Sequence, residues 1–156
     1  MSIAGMLKGH DLFRALSVED VGRISGFSSM KNFEKDETIF VNGRPGTHVF
    51  LLLEGSVYLR MPADSPELSI AVARVEKGEL FGLSPLLGSK TYTASGHCRE
   101  NSSVLAIEAR PFRELLHSNC STGLHIMSEV AHVYFTRYLQ VLKSLQRVVS
   151  DLPLIP

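Results

Sequence analysis

Apolar positions change their spacing along the chain, and each change marks a change of element. Between Gly9 and Phe27 they recur at helical intervals: Leu12, Phe13 and Leu16 cluster, and Val21 and Ile24 share a face of a second piece. Ser17 precedes that piece with Asp20 three residues on, a capping-box arrangement in which the Ser oxygen takes up a free backbone N–H. Short helices packed on a sheet are expected here. From Lys31 to Ile107 the apolar runs shorten. Thr38–Val41, Val49–Leu53, Ser56–Met61, Leu68–Val75 and Ser103–Ile107 read as strands, with reversals at Asn42-Gly43, Pro45-Gly46 and Glu54-Gly55 and a loop over Pro62–Pro66. Strands this short and closely spaced predict a small antiparallel sandwich or barrel.

Helical spacing then returns. Pro111 suits a first helical position, which needs no N–H donor, and Phe112, Leu115 and Leu116 give a short amphipathic helix ending near Asn119. From Thr122 a long helix is expected. Leu124, Ala131, Tyr138 and Leu145 recur every seven residues, and Met127, Tyr134, Val141 and Val148 follow three further on. Two apolar positions per heptad make a coiled-coil seam. Phe135, Leu142 and Val149 widen it, so one side is expected to pack on the β region and another on a partner helix. A rod of about 27 residues spans about 40 Å, more than a small barrel covers, which favours a parallel two-fold homodimer over a purely intramolecular core helix. The expected division is 1–121, 122–150 and a tail at 151–156, within one structural domain.

Composition narrows the function. Among 156 residues, Lys+Arg and Asp+Glu are both 16, and this zero net charge favours neither a nucleic-acid groove nor an anionic membrane surface. No signal-like or membrane-length apolar run is present, so a cytoplasmic location is expected. Cys98 and Cys120 are expected as free thiols. His125 and His132 lie too far apart on one helix to share a metal and are expected to face solvent; His97 beside Cys98 is a single donor site. Gly82-Leu83-Ser84-Pro85 begins like a nucleophile elbow but lacks its second glycine. No catalytic residue, metal or firm cofactor is expected.

The stretch Lys77–Ser95 carries the candidate chemistry. Gly78-Glu79 turns the chain, Gly82 follows Phe81, and Gly88-Ser89 leads to Thr93-Ala94-Ser95. Close backbone approach followed by amides and hydroxyls suits an anion or small polar ligand. This spacing resembles the phosphate-binding cassette of the cyclic-nucleotide-binding domain in the catabolite activator protein (Crp/Fnr) family. The resemblance implies a mainly β, α+β domain: an antiparallel jelly roll, or double-stranded β-helix, flanked by N-terminal helices and a long C-terminal dimerisation helix. It implies ligand contacts at Phe81, Gly82, Leu83, Ser84, Tyr92, Thr93, Ala94 and Ser95, with Arg137 and Tyr138 reaching in from the long helix. In the family an Arg meets the cyclic phosphate and a Glu the ribose hydroxyl. Here Leu83 stands for the Glu and, by ungapped count, Tyr92 for the Arg. Losing a charge-assisted bond, typically on the order of 1.5–3 kcal/mol, weighs against tight cyclic AMP binding. The expected function is a regulatory sensor for a cyclic nucleotide or other small effector, signalling through its dimer helix or a protein partner. The alternatives are a ligand-free interaction module, or a haem-type sensor using His97 or a partner chain's histidine. Family members that regulate transcription carry a winged helix-turn-helix after the long helix. The six residues at 151–156 leave no room for one, so no direct DNA binding is expected.

Overall fold

The computed structural model describes residues 2–62 and 68–150; most of the expected loop at 62–66 and the tail at 151–156 lie outside them. Helices α1 (Ile3–Gly9), α2 (Asp11–Arg14) and α3 (Val18–Gly26) open the chain. Eight strands follow: β1 (Ser28–Phe33), β2 (Thr38–Phe40), β3 (His48–Glu54), β4 (Val57–Pro62), β5 (Ser69–Val75), β6 (Leu80–Phe81), β7 (Ser95–Cys98) and β8 (Ser102–Glu108). Helices α4 (Ala109–Ser118) and α5 (Cys120–Ser150) close it. The strands form two antiparallel sheets, ordered β1-β8-β3-β6 and β2-β7-β4-β5. The expected jelly-roll architecture is present.

The continuous apolar run in β3 has a physical reason. Phe50 and Leu52 face the space between the sheets, together with Phe81, Val104 and Ala106. Val49 and Leu51 face the other way, into a core shared with Leu105, Ile107, Phe13, Ile24, Phe112 and Ile126. A strand covered on both faces has no polar side to alternate with. The chain crosses between the sheets at Gly55, where φ is +94° and an added Cβ would collide with the Ser102 side chain and the Asn101 carbonyl. Glycine is required there on both counts.

Several boundaries differ from expectation. Helix begins at Ile3 rather than near Gly9, and β1 starts at Ser28 although Ser-Ser-Met-Lys-Asn has no apolar alternation. Strands β6 and β7 carry no readable period, because one is two residues long and the other buries Gly96 and Cys98 instead of large side chains. Pro111 is the third residue of α4, not the first, yet still within the turn whose N–H groups lack intrahelical acceptors. Helix α5 begins at Cys120 rather than Thr122 and runs for 31 residues. Ile126 and Val130 bury against the body of the domain, whereas every residue from Tyr138 to Ser150 is exposed.

The start of α5 is tied down by one buried carboxylate. Ser17 Oγ accepts from Asp20 N at 3.1 Å, the forward half of a capping box. The Asp20 side chain is used elsewhere: Oδ2 accepts from Asn119 Nδ2 at 2.8 Å and from Thr122 Oγ1 at 2.7 Å. Asn119 Oδ1 in turn accepts from Thr122 N at 3.3 Å. A negative charge here also meets the positive end of the α5 dipole. His125 Nε2 lies 2.8 Å from the Leu12 carbonyl, so this histidine turns onto α2 instead of toward solvent as expected. Replacing Asp20 with Ala is expected to cost about 2–4 kcal/mol, since it deletes two bonds to a charged acceptor and strands buried donors. Urea unfolding of both proteins measures it, and a loss under about 0.5 kcal/mol, the scale of an ordinary surface substitution, would contradict this role.

Candidate ligand-binding cassette

The cassette hangs from β3 through β6, with Phe81 opposite Phe50 and Leu80 opposite Leu51. Gly82 follows at φ +64°; a Cβ there would stand 3.0 Å from the Phe50 ring and 3.2 Å from the Phe40 ring. Leu83 is buried in the helix-side core. Ser84–Leu87 forms a 3-10 turn closed by Gly88 in the left-handed region. Beyond it, Tyr92 is buried, Thr93 is exposed, and Ser95 opens β7.

The structure brings the two halves of the predicted cassette together and bonds several of their polar groups within the fold. Ser84 Oγ lies 3.0 Å from Thr93 Oγ1 and accepts from Thr93 N at 3.3 Å. Ser95 Oγ accepts from Asn42 N at 2.9 Å. The Tyr92 hydroxyl donates to the His48 carbonyl at 2.8 Å and accepts from the His48 N–H at 3.1 Å. Its ring stacks on Phe40 with centroids 4.4 Å apart. Phe40 stacks on Phe50 at 5.5 Å, and Phe50 on Phe81 at 5.4 Å. Four rings therefore fill this end of the barrel, and Ala94 packs against the same cluster. A phenol bonded in both directions occupies the position expected for a guanidinium. Phe40 and His48 belong to the site although the sequence did not single them out. Phe40 sits in a readable apolar run, whereas His48 takes part through its backbone, which no side-chain pattern reports.

The two long-helix candidates separate. Arg137 approaches the turn before β6, with Nη2 3.9 Å from Glu79 Oε2, and its side chain is only 15% exposed. Its Nε and Nη2 are buried and, among the described residues, without a hydrogen-bond partner. Burial pulls the Arg137 pKa down, with Glu79 and then Tyr134 acting the other way. Tyr138, its neighbour, is 57% exposed. Of the seam positions, Met127 packs against the helix-side core, while Leu124, Ala131, Tyr134, Tyr138, Val141, Leu145 and Val148 are exposed.

Three histidines are held toward neutrality. Burial is the largest cause at His10, opposed by Asp11 and a hydrogen bond to the Gly78 backbone. At His48 burial is joined by Lys31 and opposed by Glu108. At His97 burial is joined by Arg60 and Arg99 and opposed by Asp36. His10 Nδ1 also accepts from Leu12 N at 3.2 Å, which a doubly protonated ring cannot do. Burial pushes the Cys98 thiol up, leaving it poorly reactive. No helix among the described residues is long and apolar enough to cross a membrane.

A cyclic nucleotide-binding domain model matches residues 30–119. Among solved structures, a Geobacter metallireducens protein named for cyclic nucleotide binding is 27% identical, with 88% of this chain and 99% of that chain covered at a TM-score of 0.75. The sensor domain of the transcriptional regulator DNR from Pseudomonas aeruginosa is 17% identical, covering 83% of this chain and 91% of that one at 0.71. The regulatory subunit of a cAMP-independent protein kinase A from Trypanosoma brucei, as a mutant bound to cAMP in its A site, is 18% identical. It covers 90% of this chain and 49% of that one, also at 0.71. The two likenesses below 20% are likenesses of fold. No curated protein sequence matches the chain.

Two outcomes follow from this geometry. Tyr92→Phe keeps the stack and removes both bonds to His48, so it is expected to lower unfolding free energy by about 1–2 kcal/mol; an unchanged denaturation midpoint would show the hydroxyl idle. The histidines bind protons more weakly folded than unfolded, so acid favours the unfolded chain. Their contribution is whole above the unfolded pKa of 6.5 and drains as pH falls through the lowered folded values. Urea midpoints are expected to fall between pH 7.5 and about 5, and to fall less in His10→Gln.

Proposed function

The chain belongs to the cyclic nucleotide-binding domain family, and on that premise we propose a regulatory module that works through self-association of α5, not through capture of a cyclic nucleotide at the cassette. The observation that carries this reading is Tyr92. Its ring is stacked 4.4 Å from Phe40 and its hydroxyl is bonded to both backbone groups of His48. A cyclic phosphate arriving here would find no guanidinium at that position, and the phenol standing there is already bonded to the His48 backbone. Leu83, buried in the core, offers no carboxylate for a ribose hydroxyl. The name of the Trypanosoma relative, a cAMP-independent regulatory subunit, supports the idea that this fold can serve regulation without answering to cyclic AMP.

The output surface is the part of α5 that has left the barrel. Tyr134, Phe135, Tyr138, Leu139, Val141, Leu142, Leu145, Val148 and Val149 are all between 37% and 64% exposed. An apolar stripe this long on one helix is expensive to leave in water and marks an interaction surface. Its charge pattern favours a second copy: between Val130 and Ser150 the charged residues are Arg137, Lys143 and Arg147. Lys143 and Arg147 fall at heptad positions opposite the stripe, so neither brings a charge into a seam between two copies. The same stripe is what a regulatory partner helix would recognise.

Calorimetric titration with cyclic AMP and cyclic GMP is expected to give no saturable heat up to about 1 mM. Sedimentation equilibrium is expected to give two chains for the wild type and one for Leu145→Asp, with unchanged thermal unfolding of the β domain, because Leu145 is 54% exposed and lies outside both core clusters. Binding at micromolar nucleotide, or a wild-type monomer, would overturn the corresponding half of the proposal.

A further inference from the structure

Among the described residues, Arg137 is the side chain whose buried donors find no hydrogen-bond acceptor, and its charge is met only by a distant carboxylate. Its Nε and Nη2 are out of contact with solvent and have no hydrogen-bond acceptor. Its nearest carboxylate oxygen, Glu79 Oε2, is 3.9 Å away and already accepts from the Glu76 N–H at 2.8 Å. A buried guanidinium with unmet donors and one long ion pair is stabilised by any further group that meets its charge. The 15% of the side chain that remains open is the opening through which it can be met.

The heptad says what lies there. With Leu124, Ala131, Tyr138 and Leu145 at one seam position and Met127, Tyr134, Val141 and Val148 at the other, Arg137 immediately precedes a seam residue and flanks the interface. In a parallel pair each seam side chain enters a hole of four residues on the facing helix. For the partner's Tyr138 that hole is Tyr134, Arg137, Tyr138 and Val141. An aromatic ring face needs no hydrogen-bond geometry to compensate a cation, and guanidinium planes stack on such faces. Partial burial pushes the Tyr134 phenol up, and the charge of the nearby Arg137 acts the other way.

We propose that the partner's Tyr138 stacks on Arg137, completing in trans a site that a single chain leaves open and linking the dimer seam through Glu79 to the strand that carries the cassette. Glu79 directly precedes β6. The contact is reciprocal, once per subunit, and it fixes a parallel register: sliding the helices by one heptad would bring the partner's Ala131 or Leu145 to the guanidinium instead. This rests on the dimer of the preceding subsection, and its test separates the two.

The test uses full-length chains carrying two different affinity tags, so that mixed dimers can be isolated and their dissociation constants measured by dilution. The mixed dimer of Arg137→Leu with Tyr138→Leu keeps one intact trans pair. The mixed dimer of wild type with the Arg137→Leu/Tyr138→Leu double variant has the same two side-chain changes and keeps none. The first is expected to dissociate at roughly ten-fold lower concentration than the second, the size of one cation–π contact freed from water. Equal constants would overturn the trans contact and leave the dimer standing. The reverse order would assign the coupling to neighbours within one chain and overturn it as well. A wild-type monomer would remove the dimer itself, and with it this inference. Circular dichroism and thermal unfolding of each variant, expected to match wild type, exclude misfolding as the cause.

Discussion

The sheet β1-β8-β3-β6 must be covered on both faces, and most of the structure follows from that requirement. Val49 and Leu51 point to one side of β3 while Phe50 and Leu52 point to the other. One side is covered by the second sheet, the other by α3, α4 and the start of α5. The helices are therefore not ornaments on a finished barrel: without them a whole apolar face of β3 and β8 would lie in water, at roughly 25 cal/mol for each Å² exposed. The same wall carries the cassette, because β6 pairs with β3. A shift at the cassette is thus registered at once by a strand that touches both cores.

At the cassette itself, an exchange of charge for ring area explains the local arrangement. An Arg in this position would need an anion to stay buried. Tyr92 needs none, since the His48 backbone supplies both an acceptor and a donor. The stacked rings then gain contact with one another that a ligand-binding cavity would have to forgo. Gly82 admits this packing because it presents no Cβ to Phe40 and Phe50. The motif's glycine is retained where the motif's charges are not, and the retained part is the part that backbone geometry demands.

Sequence reasoning reached the architecture because its strongest signals are periodic: the β runs of Val49–Leu53 and Ser103–Ile107, the seam of α5, the Ser17 cap. It reached the cassette because glycines and small residues keep a recognisable spacing. It missed β1, β6 and β7, where polar, glycine-bearing or two-residue strands are held by ladder bonds and not by their own hydropathy. It placed His125 in solvent because a heptad count sees one helix and not α2 lying against it. It named Ser84, Thr93 and Ser95 as donors but could not know that Ser84 and Thr93 bond to one another and that Ser95 accepts from Asn42. Side-chain type is legible from a sequence; whether a partner has already claimed the side chain is not.

The Asp20–Asn119–Thr122 knot has a mechanical consequence. It holds α5 by its first turn, and Ile126 and Val130 hold the next two, so the helix is clamped at one end and free beyond Arg137. The free arm from Tyr138 to Ser150 is about 20 Å long at about 1.5 Å per residue. A tilt of about 10° at the clamp would carry its tip through about 3.5 Å, more than half of a helical turn's rise of about 5.4 Å. The domain is geared: displacements too small to disturb a close-packed core are multiplied along a lever before they reach whatever the arm touches.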